Sequence, residues 1–83
     1  MDKYYLYILK CSDQTLYTGI TIDLDRRIKE HNLSKLGAKY TSGRRPVKLV
    51  YSEKFKSRSE ALKAECYIKK LPRSKKLIII SKR

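Results

Sequence analysis

The chain has 83 residues and a mass of 9.8 kDa, which leaves room for one small domain, residues 1–83, with a thin core. Its apolar fraction of 41% is too high for a disordered chain, and its longest apolar runs, Tyr4 to Leu9 and Leu77 to Ile80, fall far short of the roughly 20 residues that span a membrane. Lys and Arg outnumber Asp and Glu by 21 to 8, a formal charge of +13, which points to a polyanionic partner.

Tyr4 to Lys10 is rich in aromatic and aliphatic residues and predicts a strand buried on both faces. Ser12 to Thr15 is a turn of short polar residues. Leu16 to Thr21 predicts a second strand, completing a hairpin. Gly19 interrupts that strand, which implies a bulge or a close approach by another group. Asp23 is suited to cap a helix running to about Asn32. At 100° per residue, Leu24, Ile28 and His31 share a face, with Arg27 at its edge. Residues 33–46 read as loop, punctuated by Gly37, Gly43 and Pro46. Val47 to Phe55 predicts a third strand, with Val47, Leu49 and Tyr51 on one face. Ser57 and Glu60 form an S-x-x-E capping box for a second helix, which Pro72 stops near Leu71. Residues 74–81 fit a short helix or an edge strand. The order β-β-α-β-α predicts an α+β fold, a small sheet with helices packed against it.

The charge is lopsided. Residues 1–43 carry a net +2, residues 44–83 a net +11, so a binding face is expected in the second half. The N-terminus lacks the ordered basic, apolar and small-residue regions of a signal peptide, so a cytoplasmic location is expected. Cys11, Cys66 and His31 are the whole supply of soft ligands, one short of a structural zinc site. Two buried free thiols are expected in their place.

Three features carry chemistry. Glu65 projects from the second helix beside the apolar arc Ala61, Ala64, Ile68 and Leu71. A carboxylate half inside a packing surface needs a neutralising partner, either a lysine at the rim or a metal. Tyr4, Tyr5, Tyr7 and Tyr17 crowd the hairpin, and a buried phenol must find a hydrogen-bond partner. Arg27 and His31 form an i, i+4 pair turned toward the sheet.

Tyr5-Leu6-Tyr7, followed after nine residues by Tyr17-Thr18-Gly19, resembles the two-part signature of the GIY-YIG nuclease superfamily. The first triplet has Tyr and Leu where the signature has Gly and Ile, and the second has Thr for Ile. Arg27 stands ten positions after the second motif tyrosine, as the family's catalytic arginine does, and His31 follows four later. Glu65-Cys66-Tyr67-Ile68-Lys69-Lys70 is similar to the context of the family's metal-binding glutamate. The stretch Gly37 to Thr41 with Gly43-Arg44-Arg45-Pro46 looks like the small stand-alone bacterial members and the Slx-type structure-specific nucleases. The resemblance spans roughly residues 4 to 80.

The resemblance implies a mixed three-stranded sheet flanked by helices, and metal-dependent hydrolysis of nucleic acid phosphodiesters with one Mg²⁺ or Mn²⁺ ion. It makes Tyr7 the candidate base, Tyr17 a group that orients phosphate or water, Arg27 a phosphate clamp, and Glu65 the metal ligand. His31 then supports Tyr7 or shares its role. All of these groups are expected to meet in one concave basic cleft. A phenol has an ordinary pKa near 10, so a tyrosine base needs a cationic site to lower it. Lys39, Arg44 and Arg45 in the loop, with Lys69, Lys70 and Arg73 near the end, are expected to track a phosphate backbone, DNA in preference to RNA. The alternatives are a non-catalytic nucleic-acid-binding module, or a nuclease that takes its substrate choice from a protein partner. A monomer or weak dimer is expected.

Overall fold

The structure, a computed structural model, describes residues 3–33, 41 and 43–82. The predicted hairpin forms as β1 (Tyr4–Lys10) and β2 (Leu16–Thr21). Its turn is held by Asp13, whose Oδ1 accepts from both the backbone N–H and the hydroxyl of Thr15 at 3.1 and 2.6 Å. Next come α1 (Leu24–Leu33), β3 (Lys48–Phe55), α2 (Arg58–Lys69) and α3 (Arg73–Ser81). Asp23 caps α1 through its carboxylate to the Arg26 N–H at 3.1 Å, and Ser57 caps α2 through its hydroxyl to the Glu60 N–H at 3.2 Å. Pro72, at φ −66° and ψ 159°, separates α2 from α3, so the segment after it is helix rather than edge strand.

The sheet order is β2-β1-β3, and both pairings are antiparallel. The mixed sheet implied by the resemblance is corrected here. The hairpin fixes β2 against β1. The crossover through α1 brings the chain back to the end where β2 began, so β3 runs parallel to β2. β1, however, lies between them, and each neighbour it touches is therefore antiparallel.

β1 is central and buried on both faces, as its composition predicts. Leu6 and Ile8 are fully buried on one face with Ile68 of α2 and, at their margin, Ile79 and Ile80 of α3. Tyr7, Leu9 and Cys11 are buried on the other with Val47, against Leu24 and Ile28 of α1. Each fully buried aliphatic side chain contributes about 1.5–3 kcal/mol of transfer free energy. The sheet is thus sandwiched between α1 and the α2–α3 pair. On α2, Ala61 and Ile68 face inward as predicted.

One expectation for β3 fails. Val47 and Leu49 join the Tyr7 cluster, but Tyr51 joins the Leu6 cluster. The register slips between Ile8, opposite Tyr51, and Leu9, opposite Leu49, which leaves Val50 as an extra residue. That bulge reverses the alternation, and period-two counting does not foresee it. Cys66 is also unlike the expectation: it is free but exposed on the outer side of α2, whereas Cys11 is buried and free.

Candidate active site

Tyr7 projects from β1 across β2, over Gly19, its partner in the antiparallel register. A Cβ on Gly19 would lie 2.6 Å from the Tyr7 hydroxyl oxygen, so the glycine exists to admit the ring. This is the close approach expected from the sequence.

The Tyr7 hydroxyl is 3.0 Å from Nε2 of His31, which α1 turns inward at its last turn. His31 is fully buried, and its Nδ1 lies 2.8 Å from the Thr41 hydroxyl, also fully buried. Tyr17 completes the cluster, with its ring centroid 5.2 Å from that of His31 and 6.3 Å from that of Tyr7. Arg27, one turn before His31, lies within electrostatic reach of the Tyr7 oxygen. It also donates to Glu30 at 3.0 Å, and its side chain remains 26% exposed.

Burial raises the pKa of Tyr7 above its ordinary 10, with the Arg27 guanidinium opposing and the charges of Tyr17 and Glu65 adding to the rise. The cationic neighbourhood does not lower it as the sequence reading required. Tyr7 is only 1% exposed, and desolvation outweighs one guanidinium. Burial also drives His31 down to about 4, helped by Arg27 and then Arg45 and opposed by Glu30, so the imidazole is neutral at pH 7. Burial works against the charge of Arg27, but its contacts with Tyr7 and Glu30 outweigh that and raise its pKa.

α2 carries Glu65 and packs against the Leu6–Ile8 face of the sheet, with Tyr7 in the other cluster. α2 lies chiefly over β2, which is the edge strand that Tyr7 crosses from the other side. The Glu65 charge acts on Tyr7. The Glu65 side chain is 18% exposed and pairs with Lys69 at 3.4 Å, the rim pairing that the sequence offers as one alternative.

The basic residues divide. Lys69, Lys70 and Arg73 are exposed where α2 gives way to α3. Arg44 pairs with Asp13 at 2.9 Å, and its carbonyl accepts from the N–H and hydroxyl of Ser12, so it staples the loop to the β1–β2 turn. Arg45 donates from Nε to the His31 carbonyl at 2.6 Å and supports the end of α1. Both loop arginines therefore have internal partners that compete with a nucleic acid. Lys39 lies outside the described residues. Sequence reading gave no role to Thr41, because a lone threonine in a loop carries no periodic signal. It also passed over Asn32, whose side-chain amide exchanges two hydrogen bonds with the backbone of Val47 at 2.7 and 3.1 Å.

No three Cys, His, Asp or Glu side chains gather as a metal cluster among the described residues. The available donor is a single hard carboxylate. That suits a Mg²⁺-like ion, which keeps several waters and shares phosphate oxygens, and it does not suit zinc.

The sequence model of the GIY-YIG catalytic domain matches residues 3–77. The chain belongs to the GIY-YIG family. A UPF0213 protein of Syntrophus aciditrophicus is 56% identical over 80 residues, covering 96% of this chain and 92% of the relative. One from Staphylococcus saprophyticus is 57% identical over 81 residues, covering 98% of each. The solution NMR structure of a UPF0213 protein from Bacillus halodurans has a TM-score of 0.64 at 49% identity, over 96% of this chain and 84% of that one. A solution NMR structure from E. faecalis has a TM-score of 0.66 at 42% identity, over 99% and 90%. GIY-YIG membership gives the chain a nuclease-type domain and implies nucleic acid as its partner. Within that domain, Thr18 stands at the second motif's Ile position. Its hydroxyl is buried and is without a hydrogen-bond partner among the described residues.

Proposed function

We propose that the protein is a cytoplasmic endonuclease that hydrolyses nucleic acid phosphodiesters, DNA in preference to RNA, with one divalent cation. The observation that carries this reading is the assembly of Tyr7, Tyr17, Arg27 and His31 from two strands and one helix around a single phenol. A domain that only binds backbone phosphates has no use for a buried neutral imidazole on a buried phenol.

Arg27, the partly exposed member, presents a fork of donors to the scissile phosphate. Tyr17 flanks it and orients the phosphate or the water. Glu65, whose charge reaches Tyr7, would hold Mg²⁺ or Mn²⁺. Such an ion supplies Lewis acidity at the phosphate and at the leaving oxygen. With its pKa above 10, Tyr7 is a phenol at pH 7, not a phenolate. It therefore works as a relay. Water attacks phosphorus and gives its proton to the Tyr7 oxygen, while the Tyr7 proton passes to Nε2 of His31. The P–O bond to the leaving group breaks as the new one forms. The phosphate's negative charge at Arg27 offsets the cation that depresses His31, so the imidazole becomes a better acceptor when substrate is bound. Tyr7 is covered in the free protein, so substrate binding must admit one water to its oxygen.

The test is Glu65→Gln, assayed on single-stranded, duplex, flapped and four-way substrates with Mg²⁺ or Mn²⁺. Turnover is expected to fall about 10²-fold or more, the order seen when one electrostatic stabiliser is lost. Metal-free binding is expected to persist, because a negative charge leaves a basic surface. Equal cutting by the variant would refute Glu65 as metal ligand. A parent that cuts nothing in the panel would favour the binding module, or a nuclease that requires a protein partner.

A further inference from the structure

We infer that Thr41 is a positioning residue: its hydroxyl accepts the Nδ1–H of His31 and so fixes the tautomer whose Nε2 lone pair faces Tyr7. The argument runs along one buried chain of hydrogen bonds. The hydroxyl hydrogen of Tyr7 must find an acceptor inside the protein, since the residue is only 1% exposed. The ring nitrogen 3.0 Å away, Nε2 of His31, is placed to be that acceptor. A neutral imidazole carries one N–H, so the hydrogen is on Nδ1. Thr41 Oγ1, at 2.8 Å and fully buried, receives it.

The opposite tautomer would place two hydrogens between Tyr7 and His31 and would turn His31 into a donor. In that state it could not take a proton from Tyr7. Thr41 therefore acts on the relay without touching substrate, through the direction in which His31 points its lone pair. Only this last step rests on the nuclease reading; the tautomer itself is a property of the folded protein.

His31 is the chain's single histidine, so its two ring nitrogens are resolved directly by ¹⁵N NMR of labelled protein. The parent is expected to show a protonated, pyrrole-type Nδ1 and a bare, pyridine-type Nε2. Thr41→Val keeps the shape but removes the acceptor. It is expected to shift the tautomer ratio about tenfold or more toward Nε2–H, the effect of losing one ordinary hydrogen bond. Thr41→Ser, which restores the hydroxyl, is expected to return the parent's spectrum. In cleavage, Thr41→Val is expected to lower kcat with little change in KM, and Thr41→Ser to recover it. A parent with Nε2–H overturns the inference even if no variant folds. A Thr41→Val protein that keeps Nδ1–H overturns it as well. If the tautomer shifts as expected but no protein cuts, the inference stands and the nuclease reading fails.

Discussion

Replacing Gly19 by alanine adds one methyl group directly against the Tyr7 ring. The new Cβ would meet the Tyr7 hydroxyl oxygen at 2.6 Å, Cζ at 2.8 Å and Cε2 at 3.2 Å. Ordinary contact begins near 3.4 Å, so the phenol must retreat by roughly 0.8 Å. It has nowhere to go. Its oxygen is tied to His31 at 3.0 Å, and its ring is packed with Leu9, Cys11 and Val47. A displacement of that size takes the Tyr7–His31 bond to the limit of hydrogen bonding. The overpacking is expected to cost about 1–3 kcal/mol, and a weakened buried hydrogen bond adds about 1 kcal/mol. Urea denaturation of Gly19→Ala beside Gly43→Ala measures this cleanly, because a Cβ on Gly43 meets nothing within 4 Å. The Gly43 variant is expected to stay within about 0.5 kcal/mol of the parent. If Gly19→Ala were as stable as Gly43→Ala, with the His31 ring signals unmoved, Tyr7 would not be pinned where the structure places it.

His31 makes stability depend on pH. Its pKa is about 4 when folded and near 6.5 when unfolded, so between those values the unfolded chain binds a proton that the folded one refuses. The contribution is complete above pH 6.5 and is lost as pH falls toward 4, up to about 3 kcal/mol in all. Denaturation at a series of pH values reads the slope, and the same slope in His31→Phe would assign it elsewhere. The basic surface makes a separate prediction: replacing the exposed Lys69, Lys70 and Arg73 together should reduce the slope of log affinity against log salt by roughly 2 to 3, through lost counterion release. An unchanged slope would show that these side chains are bystanders.

The elements were legible because their signals are local. The capping residues Asp23 and Ser57, the stop at Pro72, and the doubly apolar β1 each act within a few residues, and each appears where the sequence puts it. Gly19 was readable too, since a glycine in a strand interior needs a reason. The motif spacing brought Tyr7, Tyr17, Arg27 and His31 to one place. What escaped the sequence was non-local. The raised pKa of Tyr7 depends on total burial, which no motif encodes. The internal partners of Arg44 and Arg45 are 31 and 14 positions away. Thr41 and His31 meet across 10 positions of chain.

The bulge in β3 has a consequence for how the chain tolerates changes of length. Val50 is the one residue between Leu49, on the Tyr7 side, and Tyr51, on the Leu6 side. Deleting it would leave Leu49 and Tyr51 as ordinary alternating neighbours, each still facing its own cluster, and would cost only the partly buried valine. Deleting Ser52 would be different, because Phe55 would turn to the opposite face and leave the cluster it fills. Position 50 is therefore a seam, where the strand can lose a residue without either half changing its allegiance. Homologous chains one residue shorter here would keep both cores, while the same loss two positions on would dismantle one of them.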